Sequence, residues 1–220
     1  MDVILVIDGS ASLGSHGFEQ VKDISVNFAK GIQGMGQIGA ILYSGTIYAC
    51  GRQICVGLGD ELGDECAGWR GYSLTLEQCG VTWVHRLTND TSTVVEELEK
   101  MVWPAQNTLT SLALNEAQQE MENSRTGVPT VVVVLTDGEP FSTSQTFLAA
   151  QSLVDDGARL MMVPIGFDET SRTEFADYVS QPVDDNLILG ETLDSMVATN
   201  GTINRIISNF CTPTPPPPST

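Results

Sequence analysis

The sequence predicts an α/β domain: a doubly wound, mostly parallel sheet flanked by helices, with a disulfide-braced insertion. Three observations carry that expectation. Apolar runs at Val3–Ile7, Thr130–Leu135 and Leu160–Ile165 read as buried strands, and the nearly continuous valine of "TVVVVL" suits a strand covered on both faces in a parallel sheet. Segments of helical period separate the runs. Residues 50–83, rich in cysteine and glycine, follow neither period. Hydrophobic residues form 41% of the 220-residue chain, enough for a substantial core.

Val3–Ile7 opens the sheet. Phe18, Val21, Ile24 or Ser25, Phe28 and Ile32 mark the apolar stripe of a first helix. Gly34–Gly39 spells G-x-G-x-x-G, but it follows a helix and leads into a strand, the reverse of a dinucleotide loop, so it reads as a turn. Ile38–Tyr43, followed by Thr46–Ala49 across Ser44-Gly45, suggests a hairpin. "VTWVHRL" alternates apolar and polar residues and puts His85 on a strand. Val94, Val95, Leu98 and Val102 mark a second helix, and Leu112, Leu114, Ala117 and Met121 a third. Phe147, Leu148, Gln151 and Val154 mark a fourth. Leu193, Met196, Val197, Ile203 and Ile207 suggest one or two helices around Asn200-Gly201.

Residues 50–83 hold seven glycines, Cys50, Cys55, Cys66, Cys79, Trp69 and Trp83. The spacing C-x4-C-x10-C-x12-C has no CxxC pair, and neither histidine lies beside it. That argues against zinc and for disulfides, hence for an oxidising compartment. The pairing stays open. Cys211 is the odd one, either free or paired with a cysteine upstream of the present chain. "WRGY", Trp69–Tyr72, suits either an interface or a small core of the insertion itself. The tail "TPTPPPPST" cannot pack a core and reads as a polyproline linker or stalk. The expected organisation is one domain over residues 1–211, with the insertion inside it, and a linker over 212–220.

A net charge of −18 repels nucleic acid and disfavours anionic membrane. No stretch reaches the roughly 18 apolar residues of a membrane span, so no direct membrane insertion is expected. The chain enters a strand at Asp2 at once. We therefore read it as a segment of a larger multidomain chain with an added Met1, and the missing leader says nothing about compartment. Two sequons, Asn89-Asp-Thr91 and Asn200-Gly-Thr202, are compatible with secretion.

The chemistry concentrates where strands end. In open α/β sheets, ligands bind beyond the carboxyl ends of strands. "VIDGSASLG" puts Asp8 there on the first strand, and "LTDGEP" puts Asp137 there on the valine-rich one. Two carboxylates on adjacent loops repel each other, and a divalent cation compensates most directly. Ser10 and Ser12 add neutral oxygens, and "QNTLTSLALNEA" supplies Thr108 and Thr110 ahead of a helix. Hard cations want such oxygen donors. Taken singly, the aspartates could be turn residues before glycine, and the hydroxyls could be helix caps.

Together these residues resemble the von Willebrand factor A domains. "DGSAS" matches that family's D-x-S-x-S signature at Asp8, Ser10 and Ser12. "NTLTSLAL" is similar to its threonine loop, with Thr108 at the metal-binding threonine, and "LTDG" matches its last metal motif at Asp137. The resemblance runs from Asp2 to about Cys211. It implies a Rossmann-like domain with a metal-ion-dependent adhesion site holding Mg²⁺ or Mn²⁺, with Ca²⁺ a further candidate. Asp8 to Thr108 spans 100 residues, longer than is usual in the family, and the insertion accounts for the excess. Gln106-Asn107 stands where the family often has Gly-Gly.

The expected function is extracellular or cell-surface, non-catalytic adhesion. Ser10, Ser12 and Thr108 would contact the ion, Asp8 and Asp137 would hold it directly or through waters, and a carboxylate from a protein or glycoprotein partner would take an open position. In the family, ligand engagement can couple to the C-terminal helix, here near Thr192–Phe210. An alternative is a structural matrix or assembly module in which the ion only braces loops and the insertion binds the partner. A Mg²⁺-dependent hydrolase is the third reading. It is disfavoured because position 10 is serine rather than a second acid, lysines are scarce, and no nucleophile elbow surrounds Ser10 or Ser12, although His16 lies near.

Overall fold

The computed structural model describes residues 1–45, 77, 79–189, 191–199 and 201–210. Thr46–Ala49, most of the cysteine-rich stretch with Cys50, Cys55, Cys66 and Trp69–Tyr72, the second sequon's Asn200, Cys211 and the proline tail lie outside these residues.

Five strands form one sheet in the order β3-β2-β1-β4-β5. They are β1 (Asp2–Asp8), β2 (Gln37–Tyr43), β3 (Val81–Thr88), β4 (Thr130–Thr136) and β5 (Arg159–Pro164). β1 pairs in parallel with β2 and β4, β4 pairs in parallel with β5, and only edge strand β3 runs antiparallel, against β2. The helices among the described residues are α1 (Gly14–Gly31), α2 (Thr91–Glu99), α3 (Thr110–Glu120), α4 (Thr143–Asp155), α5 (Arg172–Phe175), α6 (Val183–Asn186), α7 (Leu193–Thr199) and α8 (Gly201–Asn209).

Alternation along each central strand sends successive side chains to opposite faces. Val3, Leu5, Ile7, Val131, Val133 and Leu135 join Phe18, Phe28, Leu98 and Ile203 on the face covered by α1, α2 and α8. Ile4, Val6, Val132 and Val134 join Leu112, Leu114, Ala150 and Leu153 on the face covered by α3 and α4. The valine run is therefore apolar throughout because neither face meets water.

Four sequence expectations need correction. The antiparallel partner of β2 is Val81–Thr88 and its parallel partner is β1, which leaves β2 no free edge for the expected hairpin. Val81–Trp83 consequently belong to the sheet and not to the cysteine-rich excursion. Its return is tight: Gly80 has φ +74°, and a Cβ there would lie 1.6 Å from the Ser44 carbonyl oxygen, so only glycine fits. Val102 is not part of the second helix, which ends at Glu99. Val102 is 80% exposed, while Met101 turns into the core ahead of Trp103-Pro104. In α4 the buried face is Thr146, Ala149, Ala150 and Leu153; Phe147 and Leu148 are exposed. Small alanines let α4 approach its neighbours closely; of the expected stripe, Phe147 and Leu148 point outward, while Val154 packs partly buried against the core.

Two anchors tie the ends of the sheet. Buried Asp2 accepts from the Arg125 Nε and backbone N–H, both at 2.8 Å. Buried Glu116 and Glu120 on α3 accept from Trp83 Nε1 at 2.9 Å and Arg86 Nη1 at 2.8 Å, fastening the antiparallel edge strand. Among the described residues, no helix is long and apolar enough to cross a membrane.

Candidate metal centre

β1 leads through α1 to β2 on one side, and β4 lies on its other side, so the crossover direction reverses between β1 and β4. Ligand crevices of open α/β sheets form at that switch point, outside the carboxyl ends of the strands. Asp8 ends β1, and Asp137 follows β4 directly.

Asp8 is buried. Its Oδ1 accepts from the Ser10 N–H at 2.8 Å, and its Oδ2 from the Thr136 hydroxyl at 2.6 Å. Burial pushes its carboxyl up to about 6; the hydrogen bonds from Thr136 and Ser10 pull it down, and the charge of Asp137 adds a smaller upward push. Ser10 Oγ and Ser12 Oγ lie 2.9 Å apart, and each reaches Asp137 Oδ1, at 3.2 and 2.9 Å. Ser10 sits at the N-cap of the 3₁₀ turn Ala11–Leu13 but makes no side-chain cap bond. Capping therefore does not explain this serine, whose hydroxyl turns toward Ser12 and Asp137.

Thr108 arrives on a third loop. A Cβ on Gly138 would lie 3.7 Å from Thr108 Oγ1 and 3.9 Å from Ser12 Oγ, so both hydroxyls flank that glycine. The loop is pinned along its length. Ala105 N–H donates to the Gly9 carbonyl at 3.1 Å, Ala11 N–H to Gln106 at 2.8 Å, and Phe141 N–H to the Thr108 carbonyl at 2.9 Å. Gln106 N–H donates to Ser44 Oγ at 2.8 Å, and Asn107 exchanges bonds with Gly45 at 2.9 Å each way. Ala105 adopts φ +55°, the left-handed region that disfavours a Cβ. Gln106-Asn107 in place of two glycines is thus accommodated by backbone pairing to the β1 and β2 exits.

All five sequence-derived positions, Asp8, Ser10, Ser12, Thr108 and Asp137, come together. Thr110 does not join them: it is buried, and its hydroxyl lies 3.4 Å from Tyr43 Oη. The sequence reading missed Thr136, the partner of Asp8, and Tyr43 beneath the site, whose phenol burial and then the Asp8 charge push well up. It also missed Trp103, whose Nε1 donates to the Ser10 carbonyl at 3.1 Å. Thr136 carried a signal, since it directly precedes Asp137 in "LTDG"; Tyr43 and Trp103 carried none.

Among the described residues, no group of three or more His, Cys, Asp or Glu side chains is placed to hold a metal. Any cation here would depend on hydroxyls. The oxygen-only donor set suits a hard ion. Adjacent ligands of an octahedral ion with bonds of about 2.1 Å lie about 3.0 Å apart, and the Ser10, Ser12 and Asp137 oxygens are spaced at 2.9, 2.9 and 3.2 Å.

Fold and site define a doubly wound α/β domain with a cluster of hydroxyls and carboxylates at its switch point. Residues 80–196 match the family model of the von Willebrand factor type A domain, and the chain belongs to that family. It is 24% identical over 211 residues to the collagen alpha-4(VI) chain of Mus musculus, a match covering 92% of this chain and 8% of that one. The chain therefore corresponds to a small part of that relative. Among solved structures, the pilus adhesin SpaC from Lactobacillus rhamnosus GG matches with TM-score 0.68 and 18% identity over 96% of this chain and 31% of that one. The manganese-loaded TRAP protein of Plasmodium vivax matches with TM-score 0.60 and 18% identity over 92% of this chain and 72% of that one. At these identities the solved structures speak to the fold.

Proposed function

We propose that this is an extracellular or cell-surface adhesion domain that binds a protein or glycoprotein partner through a divalent ion held by Asp8, Ser10, Ser12, Thr108 and Asp137. The observation that carries the reading is the arrival of three hydroxyls and two carboxylates from three loops at one switch point. Ser10, Ser12 and Thr108 would hold Mg²⁺ or Mn²⁺ directly, and Asp8 and Asp137 directly or through water. The ion supplies an electrophilic point for a carboxylate of the partner. The chain's own part is to keep the hydroxyls oriented: Asp8 fixes the Ser10 backbone, Thr136 fixes Asp8, and Trp103 fixes the Ser10 carbonyl. We read the domain as non-catalytic, in keeping with the adhesion and matrix proteins it is similar to.

The similarity to a collagen chain and a pilus adhesin supports a multidomain, matrix or surface setting. Buried, disulfide-bonded Cys79 supports a braced excursion over residues 50–80. We assign residues 1–211 to the domain and 212–220 to a stalk.

The test is capture of surface or matrix proteins on the immobilised domain in Mg²⁺ against chelator. The adhesion reading expects Mg²⁺-dependent capture that Thr108→Ala abolishes. If the domain is instead a matrix module whose ion only braces loops, Thr108→Ala lowers stability and leaves capture intact.

A further inference from the structure

α4 carries an apolar surface that the core does not use. Phe147 and Leu148 are 41% and 50% exposed, and Phe141, just before the helix, is 49% exposed. These three are half of the large hydrophobic side chains exposed among the described residues. Phe147 and Leu148 line a groove of about 430 Å³ together with Tyr178 and the exposed carboxylates Glu174 and Asp177. Among the described residues, no basic side chain lines this groove. The neighbouring cation, Arg172, is already paired with Glu169 and Asp184. Asp177 and Glu139 both bear on Tyr178: burial first, then these two charges, hold its phenol above the ordinary value. The groove therefore joins an apolar floor to uncompensated negative charge, on a chain whose net charge is −18.

We propose that this groove is a docking surface, separate from the metal centre, for a partner-protein segment that pairs arginine or lysine with aromatic or aliphatic side chains. Charge complementarity selects that occupant. A cation placed between Glu174 and Asp177 gains from both, while its apolar neighbour covers Phe147 and Leu148. A second copy of this chain would bring like charge to like charge. Phe141 stands just ahead of α4, and its backbone N–H is bonded to the Thr108 carbonyl, which ties the start of α4 to the loop carrying Thr108. A partner engaged at the ion could thus place a basic, apolar segment here.

The experiment uses a fluorescein-labelled peptide, Arg-Leu-Arg-Trp-Arg-Leu-amide, and its counterpart with glutamate for every arginine. Anisotropy is read at physiological ionic strength in EDTA, which removes the metal site from the measurement. The basic peptide should bind saturably and the acidic one should not. Phe147→Ser with Leu148→Ser, and separately Glu174→Gln with Asp177→Asn, should each weaken binding at least tenfold. All four positions are exposed, so circular dichroism should be unchanged. No saturable binding, equal binding of the two peptides, or variants that bind like the parent would overturn the proposal. So would a concentration-dependent dimer in sedimentation that the Phe147→Ser/Leu148→Ser variant abolishes, because the groove would then be a self-interface.

Discussion

Asp8 is a carboxylate in a place that disfavours its charge. Its folded value of about 6 exceeds its ordinary 3.8, so the folded state binds the proton more tightly than the unfolded chain. The sign follows: in metal-free protein this group's contribution to stability is favourable at low pH and is lost as pH rises from about 4 through about 6. Above that window the penalty is about 3 kcal/mol, at about 1.4 kcal/mol per tenfold change in proton affinity. Asp8→Asn should therefore raise the metal-free melting temperature at pH 7.5 and not at pH 4, and should abolish any gain on adding Mg²⁺. A variant that melts lower at pH 7.5 contradicts this. A cation needs the deprotonated carboxylate, so apparent Mg²⁺ affinity should fall about tenfold per pH unit below about 6. Calorimetric titrations at pH 7.5, 6 and 5 would measure the slope. Thr108 was legible from its neighbours in "NTLTS". Tyr43 and Trp103 were not, because nothing in local sequence says that a strand's last aromatic will lie near Asp8 or that a loop indole will bond the distant Ser10 carbonyl.

At the scale of elements, β1, β4 and β5 were readable because burial on both faces forces continuous apolar runs. α4 was only partly legible for a complementary reason: beside Leu153, its buried face is made by the small Thr146, Ala149 and Ala150, and size pointed instead to the exposed Phe147 and Leu148. Phe147→Ser should change stability by less than about 0.5 kcal/mol, whereas Leu153→Ala should cost about 2–5 kcal/mol; urea unfolding separates the two. The loop carrying Thr108 holds a second prediction. Ala105 sits at φ +55°, a conformation that costs an L-residue about 1–2 kcal/mol. Ala105→Gly should raise stability by up to about 1 kcal/mol, where alanine-to-glycine changes ordinarily lower it. The pairing of β2 with β3 was hidden because more than 30 residues separate them, and a hairpin is expected from strands close in sequence.

The molecule as a whole is a rigid sheet that brings three distant segments to one point. Its charge of −18 opposes acidic partners at long range, but at physiological salt that field decays over about 8 Å. Recognition then rests on what the loops hold locally. If they hold an ion, the fold gains by mass action: at 100 times the dissociation constant, Mg²⁺ should add about 2.7 kcal/mol, roughly 5–10 °C for a domain of this size. The sequence showed which residues would supply donors, and the β1–β4 register shows why they meet: Ile7 lies opposite Leu135, which sets Asp8 beside Thr136 and Asp137. The most direct measurement is a Mn²⁺ titration followed by amide NMR spectra. Paramagnetic broadening should begin, at substoichiometric Mn²⁺, at Gly9–Ser12, Thr108 and Asp137–Gly138, and should be displaced by excess Mg²⁺. Broadening centred elsewhere, or none at these amides, would contradict the account.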